Sequence, residues 1–273
     1  MKEEYLWKYL SLDKFCSLLE NNGFYFTTIK NLKLNLEPDE CSILEHYLKY
    51  QQDSISEMQN SIKNDEVLYN QLEKNKQDFF NICDDALENI FVCSFTNDSI
   101  ENYALWKIYP TDLKGNQQVN QGIAICISRS HFIDIIQKPQ FVLDDGTIFT
   151  QYKVFLKKMK YKSREKIIEH SKQLLNSNSC QTFYDLIHSS KIEYYQYENE
   201  ERAIIQLFSE NKKYSKGGFL KLNLREFFEV NQVKIYVSPF ATKSLSSYVE
   251  FLLKKYGLNT AIIQKQSEIR VCK

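Results

Sequence analysis

The chain has 273 residues, and its 35 Lys and Arg balance 35 Asp and Glu for a formal net charge of +0, so it lacks the basic excess of a dedicated nucleic-acid binder. Its composition is 43% hydrophobic and 14% aromatic, with 18 Tyr and 18 Phe, which supplies a core and excludes a largely disordered chain. No stretch reaches the ~18 uncharged apolar residues of a membrane span, and the opening MKEEYLWKYLSLDKF carries acidic residues where a signal peptide needs an apolar run.

In chain order, Leu6 to Leu10 reads as a short strand. Ser11 stands as an N-cap before Leu12, Phe15, Leu18 and Leu19 on one helical face, and Asn22-Gly23 ends that helix. Phe24 to Thr28 is rich in aromatic and β-branched residues and predicts a second strand, which makes a β-helix-β opening. From about Glu37 to Asn89 the strand signals stop. Leu44, Tyr47, Leu48 and Ile55, then Val67, Leu68, Leu72, Phe79, Phe80 and Ile82, recur at helical spacing. Residues 37–90 are therefore expected to form a helical insertion packed on the main body.

Phe91 to Phe95 reads as a buried strand closed by Asn97-Asp98. Ser99 to Tyr109 predicts a helix with Leu105 and Trp106 inward, stopped by Pro110. Gly115 to Gln121 reads as a polar loop, Gly122 to Ile127 as an apolar strand, and Ser130 as the cap of a short helix through Ile136. Asp144-Asp145-Gly146 signals a hairpin. Val154 to Tyr161 is strand-like, while Lys166 to Leu175 and Thr182 to His188 are helical. Ala203 to Phe208 is a buried strand, Ser215 to Gly218 a turn, Val233 to Val237 a strand, Leu245 to Tyr256 a helix stopped by Gly257, and Thr260 to Gln264 a last strand. Strands mix with helices without steady alternation, which predicts an α+β fold with a mixed or split sheet core and flanking helices. With only 7 Gly and 4 Pro there is no long linker, so residues 1–273 are expected to form one domain.

The charged run Tyr197-Glu198-Asn199-Glu200-Glu201-Arg202 is the candidate site. If it is extended, Glu198, Glu200 and Arg202 share one face, because side chains alternate with period two. Two carboxylates at that spacing repel, which raises one pKa or recruits a cation, and Arg202 is at hand. The plain alternative is a solvated strand entry with an internal Glu-Arg pair. His46, His131, His170 and His188 are scattered, and the 7 cysteines, Cys16, Cys41, Cys83, Cys93, Cys126, Cys180 and Cys272, include no CxxC pair. No metal site and no disulfide frame are expected, and reduced thiols fit a cytoplasmic protein. Lys157, Lys158, Lys160, Lys162 and Arg164 form a basic stretch around Tyr161 that offers a contact for nucleic acid or another polyanion, or simply a solvated edge strand.

The segments LWKYLSLDKFCSLLENNGFYF, FVCSFTNDSIENYALWKIY, GIAICIS, YYQYENEERAII and VKIYVSPFATKSLSSYVEFLLKKYGLNTAIIQKQSEIR, in that order, resemble domain-of-unknown-function family 2971 of bacterial proteins. The departures are the stretch from about Glu37 to Asn89 and a longer loop before Gly122. The family's layout is similar to the ADP-ribosyltransferase fold, in which a split sheet holds NAD using an early Arg or His, a middle Ser or Tyr strand and a late Glu. By position, Lys8 and Tyr9 take the first place, although neither is an Arg or His. Ser94 and Phe95 take the second, and Glu198 or Glu200 the third. The resemblance implies an NAD-dependent ADP-ribosyltransferase-like enzyme or NAD-degrading effector, of the kind that serves as a toxin or in antiviral defence. On that reading Glu200 accepts a ribose hydroxyl and stabilises an oxocarbenium-like transition state, Glu198 orients or deprotonates the acceptor, and Arg202 neutralises a carboxylate. Tyr9 and Trp106 stack on a nicotinamide or adenine ring, or else sit in the core, and the Ser94 hydroxyl meets a ribose. The competing expectations are a non-catalytic interaction module that binds a partner protein through residues 37–90, and a nucleic-acid-targeting effector.

Overall fold

The computed structural model describes residues 3–35, 42–109, 111–114, 117–137, 140–175, 190–207, 215–230, 233–264, 267 and 269. The opening is β1 (Tyr5–Ser11), α1 (Leu12–Glu20) and β2 (Gly23–Thr28). The Ser11 hydroxyl accepts the Lys14 N–H, as an N-cap does, and Asn22 takes the left-handed conformation (φ 49°) just beyond α1. Then follow α2 (Ile29–Asn35), α3 (Ser42–Ile62), α4 (Glu66–Asn89), β3 (Ile90–Thr96) and α5 (Tyr103–Ile108). The middle holds β4 (Thr111–Lys114), β5 (Gln117–Asn120), β6 (Gly122–Ser128), α6 (Arg129–Ile136), β7 (Phe141–Leu143), β8 (Ile148–Phe149), β9 (Lys153–Lys158), β10 (Lys160–Lys162) and α7 (Arg164–Leu175). The last third holds β11 (Ser190–Ile192), a 3-10 turn (Glu193–Glu198), β12 (Glu200–Gln206), β13 (Gly217–Lys221), β14 (Lys234–Val237), α8 (Lys243–Lys255) and β15 (Ile263–Gln264).

This is an α+β fold. Its main sheet is mostly antiparallel, in the order β15-β14-β6-β1-β3-β2-β13-β7-β8, with β12 and β9 branching from β3. The sheet forks at β3. The N-terminal half of β3 pairs with β2 (Thr28 opposite Phe91, Thr27 opposite Val92), its C-terminal end pairs with β1 (Trp7 opposite Thr96), and β12 runs along its other side. In the fork the Lys8 ammonium donates to the Ser94 carbonyl at 2.7 Å and lies 5.3 Å from the Phe95 ring centre.

One face of the sheet carries the large core, built from α1, α6, α8 and residues such as Leu6, Phe24, Phe95, Phe132 and Ile205. The opposite face carries two smaller apolar patches. Ile29, Leu32, Leu87, Ile90, Val92 and Ile204 join α2 and α4 to the sheet, and Trp7, Tyr9, Leu105, Trp106, Ala124 and Cys126 join α5 to it. The expected insertion is two long helices, α3 and α4, with α3 also packed on α7 and α4 on β2 and β3. Residues 37–41 at its start lie outside the described residues.

Several local expectations are corrected. A helix, α2, follows β2 directly, because the Thr28 hydroxyl accepts the Asn31 N–H and Ile29 and Leu32 find an apolar partner in α4. Residues 117–120 of the loop read at Gly115 to Gln121 form β5, paired with β4 before it, while Gly115 and Asn116 lie outside the described residues. The turn at 215–218 leads into β13, which is stitched between β2 and β7. Helix α6 begins at Arg129 after Ser128, and Val154 to Tyr161 breaks at Met159 into β9 and β10. Residues 260–262 form a 3-10 turn, which leaves β15 with two residues. The helix read at Thr182 to His188 lies outside the described residues.

Gly23 opens β2 directly against β13, and a Cβ there meets the Leu220 carbonyl oxygen, which is backbone and has little room to move. Gly23→Ala is expected to destabilise the protein by about 1–3 kcal/mol, read as a lowered urea midpoint at unchanged slope.

Candidate functional site

Asn199 adopts a left-handed conformation (φ 40°, ψ 51°) that turns the chain from the 3-10 turn into β12. Its amide binds Asn97 O and, at 2.8 Å, Asp98 Oδ1, while Asn97 N–H donates to Asn199 O at 2.9 Å. The charged run is thus pinned to the loop after β3. The run is not extended throughout, as the period-two reading assumed. Glu198 ends the 3-10 turn, and only Glu200 onward is strand. Glu198 nevertheless reaches the same neighbourhood, through a lysine.

Residues opposed on antiparallel strands share a face. Arg202 lies opposite Ser94, Glu200 opposite Thr96, and Trp7 opposite Thr96. Trp7, Tyr9, Ser94, Glu200 and Arg202 therefore share one face, Trp7 and Tyr9 within the patch under α5 and the other three beside it. Glu201 points the other way. It is fully buried and is taken by Arg129 (Nη2 at 2.7 Å) and by the Asn97 amide at 2.5 Å.

The charges on the first face form a chain. Arg202 Nε donates to Glu200 Oε1 at 2.6 Å and Arg202 Nη2 to Glu200 Oε2 at 3.2 Å. Lys191 Nζ bridges the two carboxylates, 2.6 Å from Glu198 Oε2 and 3.3 Å from Glu200 Oε2. The Tyr109 hydroxyl donates to Glu198 Oε1 at 2.8 Å. The Glu200 N–H donates to the Tyr161 hydroxyl oxygen at 2.7 Å. Lys191 also lies 4.4 Å from the Tyr195 ring centre, so its ammonium faces an aromatic surface as well as two carboxylates. All four ions are buried: Glu198 5% exposed, Glu200 5%, Lys191 3% and Arg202 0%.

Burial alone would raise the Glu200 pKa. The Arg202 and Lys191 charges, with hydrogen bonds from Arg202 and Ser94, override it and hold the carboxyl at about 2. Glu200 is therefore a fixed anion near neutral pH. It is unsuited to carrying a proton and suited to stabilising positive charge. Burial pushes the Tyr161 hydroxyl pKa up, so that phenol stays protonated beside it.

The expected site residues divide between the faces. Glu200, Arg202, Glu198 and Ser94 come together, Ser94 by its hydrogen bond to Glu200. Tyr9 and Trp106 share the face but pack edge-on against each other at 4.9 Å between ring centres. The Tyr9 hydroxyl oxygen accepts the Asn102 N–H, and Trp106 Nε1 donates to Glu101. Both rings are buried and engaged. Lys8 and Phe95 do not join the cluster, because odd and even positions of β1 and β3 point to opposite faces, and these two face the large core. The sequence reading missed Lys191, Tyr109 and Tyr161. Lys191 sits among Ser189, Ser190, Ile192 and Glu193 before a run of tyrosines, a setting that does not mark its ammonium as buried. The two tyrosines carry no local signal, since their partners lie 39 and 89 residues away.

Cys83 and Cys126 are buried thiols, both pushed up to about 12 by burial, which makes them poor nucleophiles. Cys41, Cys180 and Cys272 lie outside the described residues. Among the described residues, no group of three His, Cys, Asp or Glu gathers to hold a metal, and no helix is long and apolar enough to cross a membrane. Comparison with protein-family models, with curated proteins and with solved structures found no match to this chain.

Two outcomes test the cluster. Arg202→Met leaves Glu200 buried with only half its cationic partners and is expected to cost about 3–5 kcal/mol in denaturant unfolding. The Glu200 pKa is depressed in the fold, so its stabilisation is complete above the ordinary 4.5 and is lost as pH falls toward about 2. Acid titration followed by circular dichroism is expected to show stability falling across that window, with a shallower slope for Glu200→Gln.

Proposed function

We propose that this protein is an enzyme acting on NAD, an ADP-ribosyltransferase-like transferase or an NAD-degrading relative, with the Glu198–Lys191–Glu200–Arg202 cluster at its working site. The observation that carries this reading is the burial of two carboxylates and two cations in one hydrogen-bonded chain. A buried ion network adds little net stability over apolar residues of the same shape, so its presence in a sheet otherwise lined by Ile, Val and Phe points to chemistry. The motif resemblance to family 2971 and the forked sheet support the choice of NAD.

In the proposed reaction the C1′–N glycosidic bond of NAD breaks, nicotinamide leaves with the bonding electrons, and water or an acceptor nucleophile attacks C1′. The ribose acquires oxocarbenium character on the way. A fixed carboxylate beside the ribose stabilises that charge without moving a proton, which is the role the low Glu200 pKa suits. Glu198, held by Tyr109 and Lys191, is oriented to receive the nucleophile's proton or to position it. Tyr109 and Tyr161, both partly exposed, form the cluster's edge toward solvent and are the side from which a substrate approaches.

A second reading is favoured by α4, which exposes Val67 (76%), Leu68, Tyr69 and Ile82 (63%). Apolar side chains left in water along one long helix suit a protein partner, with the ion cluster then serving only to fix the fold.

The deciding measurement is NAD consumption by the purified protein, with calorimetry for NAD binding. Turnover that falls about 100-fold or more in Glu200→Gln, at a melting temperature that still leaves the variant folded, is the expected result for a lost electrostatic group. Absence of both NAD binding and turnover in the parent protein, or full activity in Glu200→Gln, overturns the proposal and leaves the interaction reading.

A further inference from the structure

The basic stretch that begins at the end of β9 does not form a continuous track. Lys158 pairs with Glu4 at 3.1 Å, and Lys157 sits opposite Arg202 in the sheet. The next three lysines differ. On β10, Tyr161 turns its hydroxyl to the Glu200 backbone, so Lys160 and Lys162, which alternate with it, project from the other side of the strand. There β10 faces α7. Lys162, Lys166, Glu169, His170 and Gln173 line a hollow of about 220 Å³, room for several water-sized groups at ~30 Å³ each.

The charge in this hollow is unbalanced. Lys162 Nζ lies 2.7 Å from His170 Nδ1, so the pair shares one hydrogen between two nitrogens that each become a donor when protonated. Among the described residues, no carboxylate pairs with Lys160, Lys162 or Lys166; the Glu169 carboxylate also lines the hollow, where it accepts from the Gln173 amide and offsets part of the lysine charge. Burial, and the Lys160 charge after it, press the Lys162 ammonium toward its neutral form. Burial followed by the Lys162 and Lys160 charges does the same to His170. A multiply charged anion in the hollow relieves all of this together. It accepts from Lys162, Lys166 and the Nε2–H that His170 carries while its Nδ1 accepts from Lys162, and it screens Lys160.

We propose that the hollow between β10 and α7 binds a phosphate group, as inorganic phosphate or a small phosphate monoester, through Lys162, Lys166 and His170. The site is independent of the NAD reading, because these side chains leave the ribbon on the side away from Glu200. The hollow is open to solvent on one side, and at about 220 Å³ between one strand and one helix it has room for a single phosphate group.

The test follows the His170 ring Cε1–H resonance, assigned with His170→Asn, while inorganic phosphate or methyl phosphate is added to the full chain at constant pH and ionic strength. A saturable shift is expected, lost in Lys162→Gln and weakened about tenfold in the surface variant Lys166→Gln, as for one lost charge-assisted hydrogen bond. Lys166 is exposed, so its variant reads binding even where Lys162→Gln disturbs folding. Tighter binding of methyl phosphate assigns the site to a monoester, and equal binding assigns it to free phosphate. No saturable shift, an equal response to chloride, or an undiminished response in both lysine variants overturns the proposal.

Discussion

Arg202 is the group on which the centre of this protein depends. It is 0% exposed and its guanidinium cannot shed its proton, so the fold must bring it a carboxylate. Glu200, two residues earlier on the same strand face, is the first partner. A lone Arg–Glu pair leaves carboxylate lone pairs unfilled, and Lys191 and Ser94 fill them. Lys191 also needs a second anion, which brings in Glu198. Each addition comes from a different segment: β12, β11, the 3-10 turn and β3. Satisfying one buried charge therefore ties the short β10–β11 ribbon to the main sheet and fixes the left-handed turn at Asn199.

The same constraint divides the sheet. One face is a continuous apolar core under α1, α6 and α8. The other carries two apolar patches, one under α2 and α4 and one under α5, with the ionic cluster beside them. Ile204, two residues beyond Arg202, already belongs to the first patch, and Trp7, opposite Thr96, belongs to the second. The cluster's charge on this face is confined to the start of β12 and to Lys191 and Glu198 beside it. Glu201, one residue out of phase, is buried on the opposite face and needs its own clamp from Arg129 and Asn97. Three consecutive charged residues thus act in two separate environments, which a solvated charge run does not do.

That confinement bears on chemistry. Glu200, locked to two cations, is a poor proton carrier, and its field is already oriented before any substrate arrives. Such a group suits the stabilisation of a developing positive charge better than the transfer of a proton. The hydroxyls of Tyr109 and Tyr161 bond to Glu198 and to the Glu200 backbone at the edge of the cluster.

Much of the fold was legible in local pattern. Ser11 before an apolar helical face, Asn22-Gly23 after it, the apolar runs at 91–95, 122–127 and 203–208 and the Asp-Gly turn at 145–146 each carry their own structural preference, and each is found in place, Phe208 itself lying outside the described residues. Elements that depend on a distant partner were not legible. Helix α2, whose Ile29 and Leu32 pack on Leu87 and Ile204, and β13, held between β2 and β7, are each too short for local pattern to set them without those partners. The sequence by itself determined the α+β class, the helical insertion and the presence of two carboxylates and an arginine at alternating positions. Only the tertiary structure decided that these charges are buried, that Lys191, Tyr109 and Tyr161 complete them, and that Lys8 and Phe95 belong to the opposite face. The reason is physical. Period and propensity act over a few residues, whereas the pairing of a buried charge is settled by whichever segment, however distant in sequence, supplies the counter-ion.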